Sequence, residues 1–265
     1  MSDWEVFAVK YAERNERTRA DSFIADDNHN VQHDMDYFLW VLRRDDELIL
    51  VDTGYDEEEG QQRGRPISTD PREALKPFGI SANDITKVIV THLHYDHAGG
   101  LALFPNAQLY LQEKEMAFAS GACMCDQNLK APFTADHICE AVKRVYSGRV
   151  EFVDGDAEIT DGITVHCIGG HSRGLQAVRV KTKSGYLCLA SDAAHYYENV
   201  FAKKPFPIVV DIDNMMAGFD RLHELASRPQ LIIPGHDPLV RQRFESVLSP
   251  DIFQLHNGPL TEFKI

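Results

Sequence analysis

Thr91-His92-Leu93-His94-Tyr95-Asp96-His97-Ala98-Gly99-Gly100 is the densest piece of chemistry in this chain. Three histidines and an aspartate fall within six consecutive positions. Imidazole nitrogens and carboxylate oxygens are the borderline ligands that a zinc-like divalent ion accepts. The apolar run Lys87-Val88-Ile89-Val90-Thr91 leads directly into the cluster and reads as a short strand. On a loop leaving a strand, alternate residues turn toward one centre while the next pair faces a second. Burying so many titratable groups without a cation costs several kcal/mol of desolvation or forces large pKa shifts.

Working outward, three further candidate ligands each follow an apolar strand. They are His171 in Gly169-Gly170-His171-Ser172, Asp192 in Ala190-Ser191-Asp192-Ala193, and His236 in Pro234-Gly235-His236-Asp237. Glycine beside each of these histidines permits a tight turn and close backbone approach. The candidate metal site is therefore His92, His94, Asp96, His97, His171, Asp192 and His236, holding two divalent ions, with Zn2+ expected.

Strands and helices alternate around these positions. Tyr37–Leu42 and Leu48–Val51, separated by Arg43-Arg44-Asp45-Asp46, predict a hairpin covered on both faces. Asp70-Pro71-Arg72-Glu73 opens a short helix, with capping-box spacing and proline in the first turn, and Gly79 ends it. Gln112–Ala119 and Ala135–Tyr146 read as helices. Ile163–Ile168 reads as a strand after the turn Asp161-Gly162. Val178–Thr182 and Tyr186–Ala190 flank Ser184-Gly185 as a second hairpin. Met216, Phe219, Leu222 and Leu225 predict an amphipathic helix over Asp213–Ala226, followed by a last strand at Leu231–Ile233. This mixture predicts sheets covered by helices, with polar ligands at strand ends.

The bulk composition narrows the function. At 265 residues, 43% hydrophobic and 26% charged, the chain is an ordinary globular protein able to bury a large core. The formal net charge of −14 opposes nucleic-acid binding and favours a neutral small-molecule substrate, unless a local basic pocket reverses it. No apolar window suits a membrane span and the first residues lack a signal-peptide pattern, so the cytoplasm is the expected location. A homodimer stays open. Cys123, Cys125, Cys139, Cys167 and Cys188 are an odd, scattered set that reads as reduced thiols. No second cysteine pair follows Cys123-Met124-Cys125 at zinc-knuckle spacing, which favours a structural role.

From Val51-Asp52-Thr53-Gly54 to Pro234-Gly235-His236 the sequence resembles the metallo-β-lactamase superfamily. The resemblance implies an α/β chain of the α+β type, a four-layer αββα sandwich forming one domain over residues 1–265. It implies that His92, His94 and His171 bind one metal, that Asp96, His97 and His236 bind the other, and that Asp192 bridges them. His94, rather than a glutamate, resembles the zinc hydrolases and not the diiron redox branch. Asp52 is implied to support the site from behind, where a buried carboxylate holds a ligand imidazole in its tautomer.

Two metals favour attack of a metal-bridging hydroxide on a carbonyl or phosphoryl centre. Gly-x-Ser-x-Gly, the competing nucleophile motif, is absent. The layout looks most like the N-acyl homoserine lactonases, which implies opening of a neutral lactone ring. Those enzymes carry a tyrosine three residues after the bridging aspartate; here that position is His195, with Tyr196 next. Either His195 or Tyr196 is a candidate donor to the oxyanion or the leaving alkoxide, or a pocket wall. Asp96 is implied as a proton shuttle as well as a ligand. Asp21–Asp36, containing Phe23, Ile24, His29, His33 and Met35, is a lid or a surface connection. Met116, Phe118, Met124 and Phe133 line an acyl pocket or belong to the core. The alternatives are a glyoxalase-II-like thioester hydrolase, which would want Lys and Arg near the site, a cyclic amide hydrolase, an RNA-processing enzyme, and a non-catalytic metal-binding protein.

Overall fold

The structure is a computed structural model and describes residues 2–261. Its strands are β1 (Glu5–Arg14), β2 (Met35–Arg44), β3 (Glu47–Val51), β4 (Lys87–Ile89), β5 (Gln108–Gln112), β6 (Val150–Val153), β7 (Ala157–Thr160), β8 (Ile163–Cys167), β9 (Gln176–Thr182), β10 (Gly185–Ser191), β11 (Ile232–Pro234), β12 (Glu245–Ser246) and β13 (Ile252–Gln254). They form an eight-stranded sheet in the order β12-β13-β1-β2-β3-β4-β5-β6 and a five-stranded sheet in the order β11-β10-β9-β8-β7. β3 to β6 run parallel to one another, and β11 lies parallel to β10. The parallel steps put the ends of β4, β10 and β11 within reach of a common site.

Alternation along each strand explains the layers. Phe7, Val9, Leu39, Val41 and Leu50 point to one side of the large sheet, where Ile138 and Ala141 of the helix Ala135–Tyr146 cover them. Val6, Ala8, Phe38, Trp40 and Ile49 point to the other side and meet Val165, Val178, Val180 and Leu189 of the small sheet. The outer face of the small sheet, through Ala177, Cys188, Ala190 and Ile232, is covered by Met215, Phe219, Leu222 and Leu225 of the helix Ile212–Leu225. A period of two thus divides continuous apolar runs between two cores. Three apolar interfaces separate four layers, the αββα sandwich. No helix among the described residues is long and apolar enough to cross a membrane.

Both expected hairpins form, with Arg44 paired to Glu47 and Thr182 to Gly185. The helix expected between Asp70 and Gly79 is broken in two. Asp70 caps the Arg72 amide, and the α-helix stops after Pro71–Ala74. Pro77 has no N–H to continue it, so the chain tightens into a 3-10 turn over Lys76–Phe78 that ends at left-handed Gly79. Gln112 is the last residue of β5 rather than helical. In the helix Ile212–Leu225, Met215 takes the buried position expected of Met216, because positions 215, 219, 222 and 226 make the straighter stripe. β1, β5, β6, β7, β12 and β13 were not individually read from the sequence.

The inter-sheet core holds the strand ends that carry the candidate ligands. Leu189, fully buried three residues before Asp192, should show this when truncated. Leu189→Ala is expected to destabilise the protein by about 2–5 kcal/mol. Urea unfolding should show a lower midpoint at an unchanged slope.

Candidate metal centre

After β4 the chain stays buried from Val90 to Gly100. The His94 carbonyl accepts from the amides of His97 and Ala98, closing the short helix Tyr95–Ala98. This turn brings Asp96 and His97 onto the same side as His92 and His94. A Cβ at Gly100 would collide with the Thr53 carbonyl oxygen, while the Thr53 amide and hydroxyl both donate to the His97 carbonyl. The glycine lets the loop lie flat against the end of β3. At Gly170, φ is +82° and a Cβ would sit 2.7 Å from the Met215 backbone. Only glycine seats the His171 loop on the helix Ile212–Leu225.

All seven candidate ligands converge at the end of the two sheets. One nitrogen from each of His92, His94 and His171 lies within 4.8 Å of the others, and so do the ligand atoms of Asp96, His97, Asp192 and His236. Asp192 stands between the groups. Its Oδ1 is 3.0 Å from His236 Nε2 and 3.2 Å from His97 Nε2, and its Oδ2 is 3.3 Å from His171 Nε2.

Hydrogen bonds at the back of the rings decide what faces inward. His171 Nδ1 donates to the Ile208 carbonyl and His236 Nδ1 to the Asp36 carbonyl, both at 2.8 Å. A carbonyl only accepts, so in the neutral rings each Nε2 presents a lone pair to the centre. His97 Nδ1 lies 2.8 Å from Asp52 Oδ2, which has the same effect. Asp52 also accepts from the Thr91 amide (2.7 Å) and hydroxyl (2.8 Å), so it sits behind His97 as the sequence implied. His92 Nε2, His97 Nε2 and Asp192 Oδ1 are buried without a hydrogen-bond partner. Unpartnered imidazole nitrogens and a carboxylate oxygen converging in one buried centre suit divalent cations.

Electrostatics agree. Burial, reinforced by neighbouring imidazoles, pushes His92 and His94 well below the usual range. Against the opposing effect of burial, Asp192, Asp96 and Asp52 hold His97 well above it. Also against burial, the imidazoles of His236, His97 and His195 keep Asp192 well below the ordinary carboxylate range. Without a cation, protons must fill part of this centre.

Glu115 is the structural residue that the sequence did not reveal. Fully buried, it accepts from the Leu93 amide (3.0 Å), the Gly174 amide (2.9 Å) and the Ser172 hydroxyl (2.5 Å). It ties the loop of His92 and His94 to the loop of His171. Its only sequence signal is an acid in the first turn of a helix, which is common on any surface helix.

The two candidate donors separate. His195 lines the cleft, with Nε2 3.0 Å from Asp192 Oδ2 and its ring stacked on Phe206 at 3.8 Å. Burial pushes its imidazole down to about 4, against the pull of Asp192. Tyr196 turns the other way into the core, packed on Phe23 and His33, with its hydroxyl 3.4 Å from Ser22 Oγ. The segment Asp21–Asp36 is tethered by ion pairs at Asp26: Arg19 bonds Asp26 (2.6 Å) and Glu198 (2.7 Å), and Lys204 bonds Asp26 (3.0 Å). Phe23 braces Tyr196, Met35 reaches the cleft, and Ile24 and His29 are exposed.

The cleft over the centre has a volume of about 290 Å³. Its apolar walls include Met35, Leu129, Pro132, Ile208 and Val209; of the two alternatives for Met116, Phe118, Met124 and Phe133, the acyl-pocket lining is not the one found at this cleft. Phe133 stands behind His94 at 4.5 Å, and Phe118 stands behind Phe133. Met124 faces a separate groove, and Met116 packs on the core. Arg14, Arg17, Arg63 and Arg65 also line the cleft, which the whole-chain charge did not foreshadow. A larger cavity of about 790 Å³, bordered by Cys123, Cys167 and Asn214, contains none of the seven candidate ligands.

A model of the metallo-beta-lactamase superfamily matches residues 37–241. An N-acyl homoserine lactonase of Bacillus cereus is 27% identical over 216 residues, covering 76% of this chain and 80% of that protein. N-acyl homoserine lactonase AiiA of Bacillus thuringiensis subsp. kurstaki is 28% identical over 218 residues, with the same coverage of 76% and 80%. The fold matches a solved N-acyl homoserine lactone hydrolase with N-hexanoyl-L-homoserine at its catalytic metal centre. That match has a TM-score of 0.75 and 23% identity, over 90% of this chain and 95% of that one. The dizinc quorum-quenching lactonase AidC matches with a TM-score of 0.70 and 20% identity, over 100% and 97% of the two chains. With the family match spanning most of the sequence and every candidate ligand, the chain belongs to the metallo-beta-lactamase superfamily.

Proposed function

We propose that the bond opened by this metal-dependent ester hydrolase is the cyclic ester of a lactone. The observation that carries the reading is the buried ring of imidazoles and carboxylates around Asp192 at the floor of a small cleft. The lactonase relatives support the choice of bond. His92, His94 and His171 would hold one ion, and Asp96, His97 and His236 the other, with Asp192 shared; this nitrogen-rich set suits zinc. Bound there, two such ions polarise the ester carbonyl and lower the pKa of water.

The protein's own groups prepare and finish the reaction. Asp52 and the carbonyls of Asp36 and Ile208 hold three imidazoles with Nε2 inward. The walls at Met35, Pro132 and Ile208 narrow the cleft around the ester. Ring opening adds one water across the acyl–oxygen bond, leaving a carboxylate and an alcohol. The alcohol oxygen must gain a proton, and Asp96 is the carboxyl group at the cleft floor proposed to deliver it. His195 is the proposed donor to the developing oxyanion, because it is the member of the His195–Tyr196 pair that reaches the cleft.

The arginines along the cleft meet the condition for a thioester that carries carboxylates, the second reading. A panel of lactones, thioesters and amides, offered to zinc- and manganese-loaded protein, separates the two. Lactone opening should be lost with a chelator and restored by metal. Thioester turnover without lactone turnover overturns the lactone reading.

Elemental analysis should find about two divalent ions per chain. His171→Ala should lower both metal content and activity, because one ion loses a ligand. Unchanged metal content in that variant would remove His171 from the site.

His195→Ala should lower kcat roughly 100-fold at full metal occupancy, the loss seen when an oxyanion donor is removed. Tyr196→Phe deletes a long contact to Ser22 and an interaction with Arg17, neither of them at the metal centre, and should keep kcat within about threefold of wild type, in line with the small effects of changes away from a site. A large loss in Tyr196→Phe alone would reverse the assignment.

A further inference from the structure

Four arginines border the cleft of a protein whose formal net charge is −14, and they are not equivalent. Arg63 is satisfied structurally: it pairs with Glu59 and donates to the carbonyls of Ala131 (2.9 Å) and Phe133 (3.2 Å). The other three have no carboxylate within ion-pair distance among the described residues. Elsewhere Arg19, Arg44, Arg144 and Arg221 each face an acid.

Arg17 is the most telling. It is 5% exposed, and its Nε is buried without a hydrogen-bond partner. Its Nη2 is engaged by the Asp21 carbonyl (2.7 Å) and weakly by Ser22 Oγ (3.4 Å), and the guanidinium also meets the neutral Tyr196 hydroxyl, none of which supplies a negative charge. A buried guanidinium with no counter-ion is costly unless something that enters the site supplies the charge. Arg65 donates to the Tyr95 hydroxyl and lies 5.1 Å from that ring's centre. The half-buried Arg14 side chain, at the end of β1, makes no hydrogen bond or ion pair with any described residue. Arg17 acts electrostatically on His195, and Arg65 on Asp96, so positive charge flanks the candidate centre from two sides. Apart from Asp96 and Asp192, no carboxylate among the described residues lines the cleft.

We propose that the substrate carries an oxyanionic substituent, a carboxylate or a phosphate, which Arg17, Arg65 and Arg14 bind while its ester lies over the metal centre. This rests on the lactone reading for the bond broken, but the anion site stands on the arginines. Guanidinium groups suit both oxyanions because they offer paired donors in a plane. The whole-chain charge predicted a neutral substrate; the lining of the cleft reverses that expectation locally.

The test uses γ-butyrolactone bearing, at its γ-carbon, a carboxylate, a phosphonate or a carboxamide. The metal-loaded protein should prefer at least one anionic ring over the carboxamide by about 10-fold or more in kcat/KM, mainly through KM. The preference should shrink as salt is raised. Which anion leads identifies the oxyanion. Arg17→Gln, Arg65→Gln and the less buried Arg14→Gln should each move the ratio toward one, and Arg17→Lys should restore part of it. The ratio is insensitive to the fraction of folded or metal-loaded enzyme. Lactone opening with no anionic preference overturns the proposal and leaves the lactone reading intact. If no ring is opened, the lactone reading falls, and calorimetry with the ring-opened products decides the anion site. Tighter binding of the dianionic product than of its carboxamide, lost in Arg17→Gln, supports the site; equal binding removes it.

Discussion

Asp192 is a buried carboxylate facing the Nε2 atoms of His97, His171, His195 and His236, and much of the molecule is arranged to make that encounter tolerable. Left alone, such a group would be driven toward its neutral form by desolvation. Here surrounding imidazoles hold it charged, and those imidazoles are aimed by groups that touch no substrate. The Asp36 and Ile208 carbonyls fix two ring tautomers, and Asp52 fixes a third. Glu115 holds two ligand-bearing loops together by accepting from both. The centre is therefore a property of the ends of both sheets at once. β4 delivers the first loop, β10 delivers Asp192, and β11, lying parallel to β10, delivers His236.

The charge of the protein and the charge of its cleft differ because ion pairing is local. The excess of acids is distributed over the surface, where many face arginine or lysine. Inside the cleft the two aspartates belong to the candidate metal centre, and the remaining charged side chains along the walls are guanidinium groups. Coulomb interactions across a narrow cleft outweigh those with distant surface charges that solvent and salt screen. A whole-chain sum is therefore a poor guide to what enters a small site.

Much of the candidate centre was legible because its residues are dense and chemically unusual. Thr91–His97 can scarcely be read as anything else, and glycine beside His171 and His236 marks where backbone must approach closely. The hairpin Tyr37–Val51 was legible from two continuous apolar runs separated by a charged turn, and the helix Ala135–Tyr146 was also read correctly. Glu115 and the wall residues Ile208 and Pro132 were not, since nothing local separates them from ordinary helix and loop residues. β6 and β7 escaped notice because they are short and partly exposed, so they carry little alternation. The helix expected from Asp70 was too long because Pro77 breaks it at a point where caps at both ends suggested continuity.

By itself the sequence displayed the histidine–aspartate cluster and the motifs downstream of it, because those depend on residue type and short-range spacing, and through their resemblance to a family it implied the layered fold and the seven ligands. It left His195 and Tyr196 equivalent. The tertiary structure separated them: His195 stacks on Phe206 beside Asp192, whereas Phe23 and His33 draw Tyr196 into the core. It also brought Arg14 and Arg17, at the end of β1 and just beyond it, together with Arg65 at the mouth of one cleft. Neighbours in sequence do not report which side chains share a cavity or lack a counter-ion. That depends on packing between elements far apart in the chain, and here packing decided it.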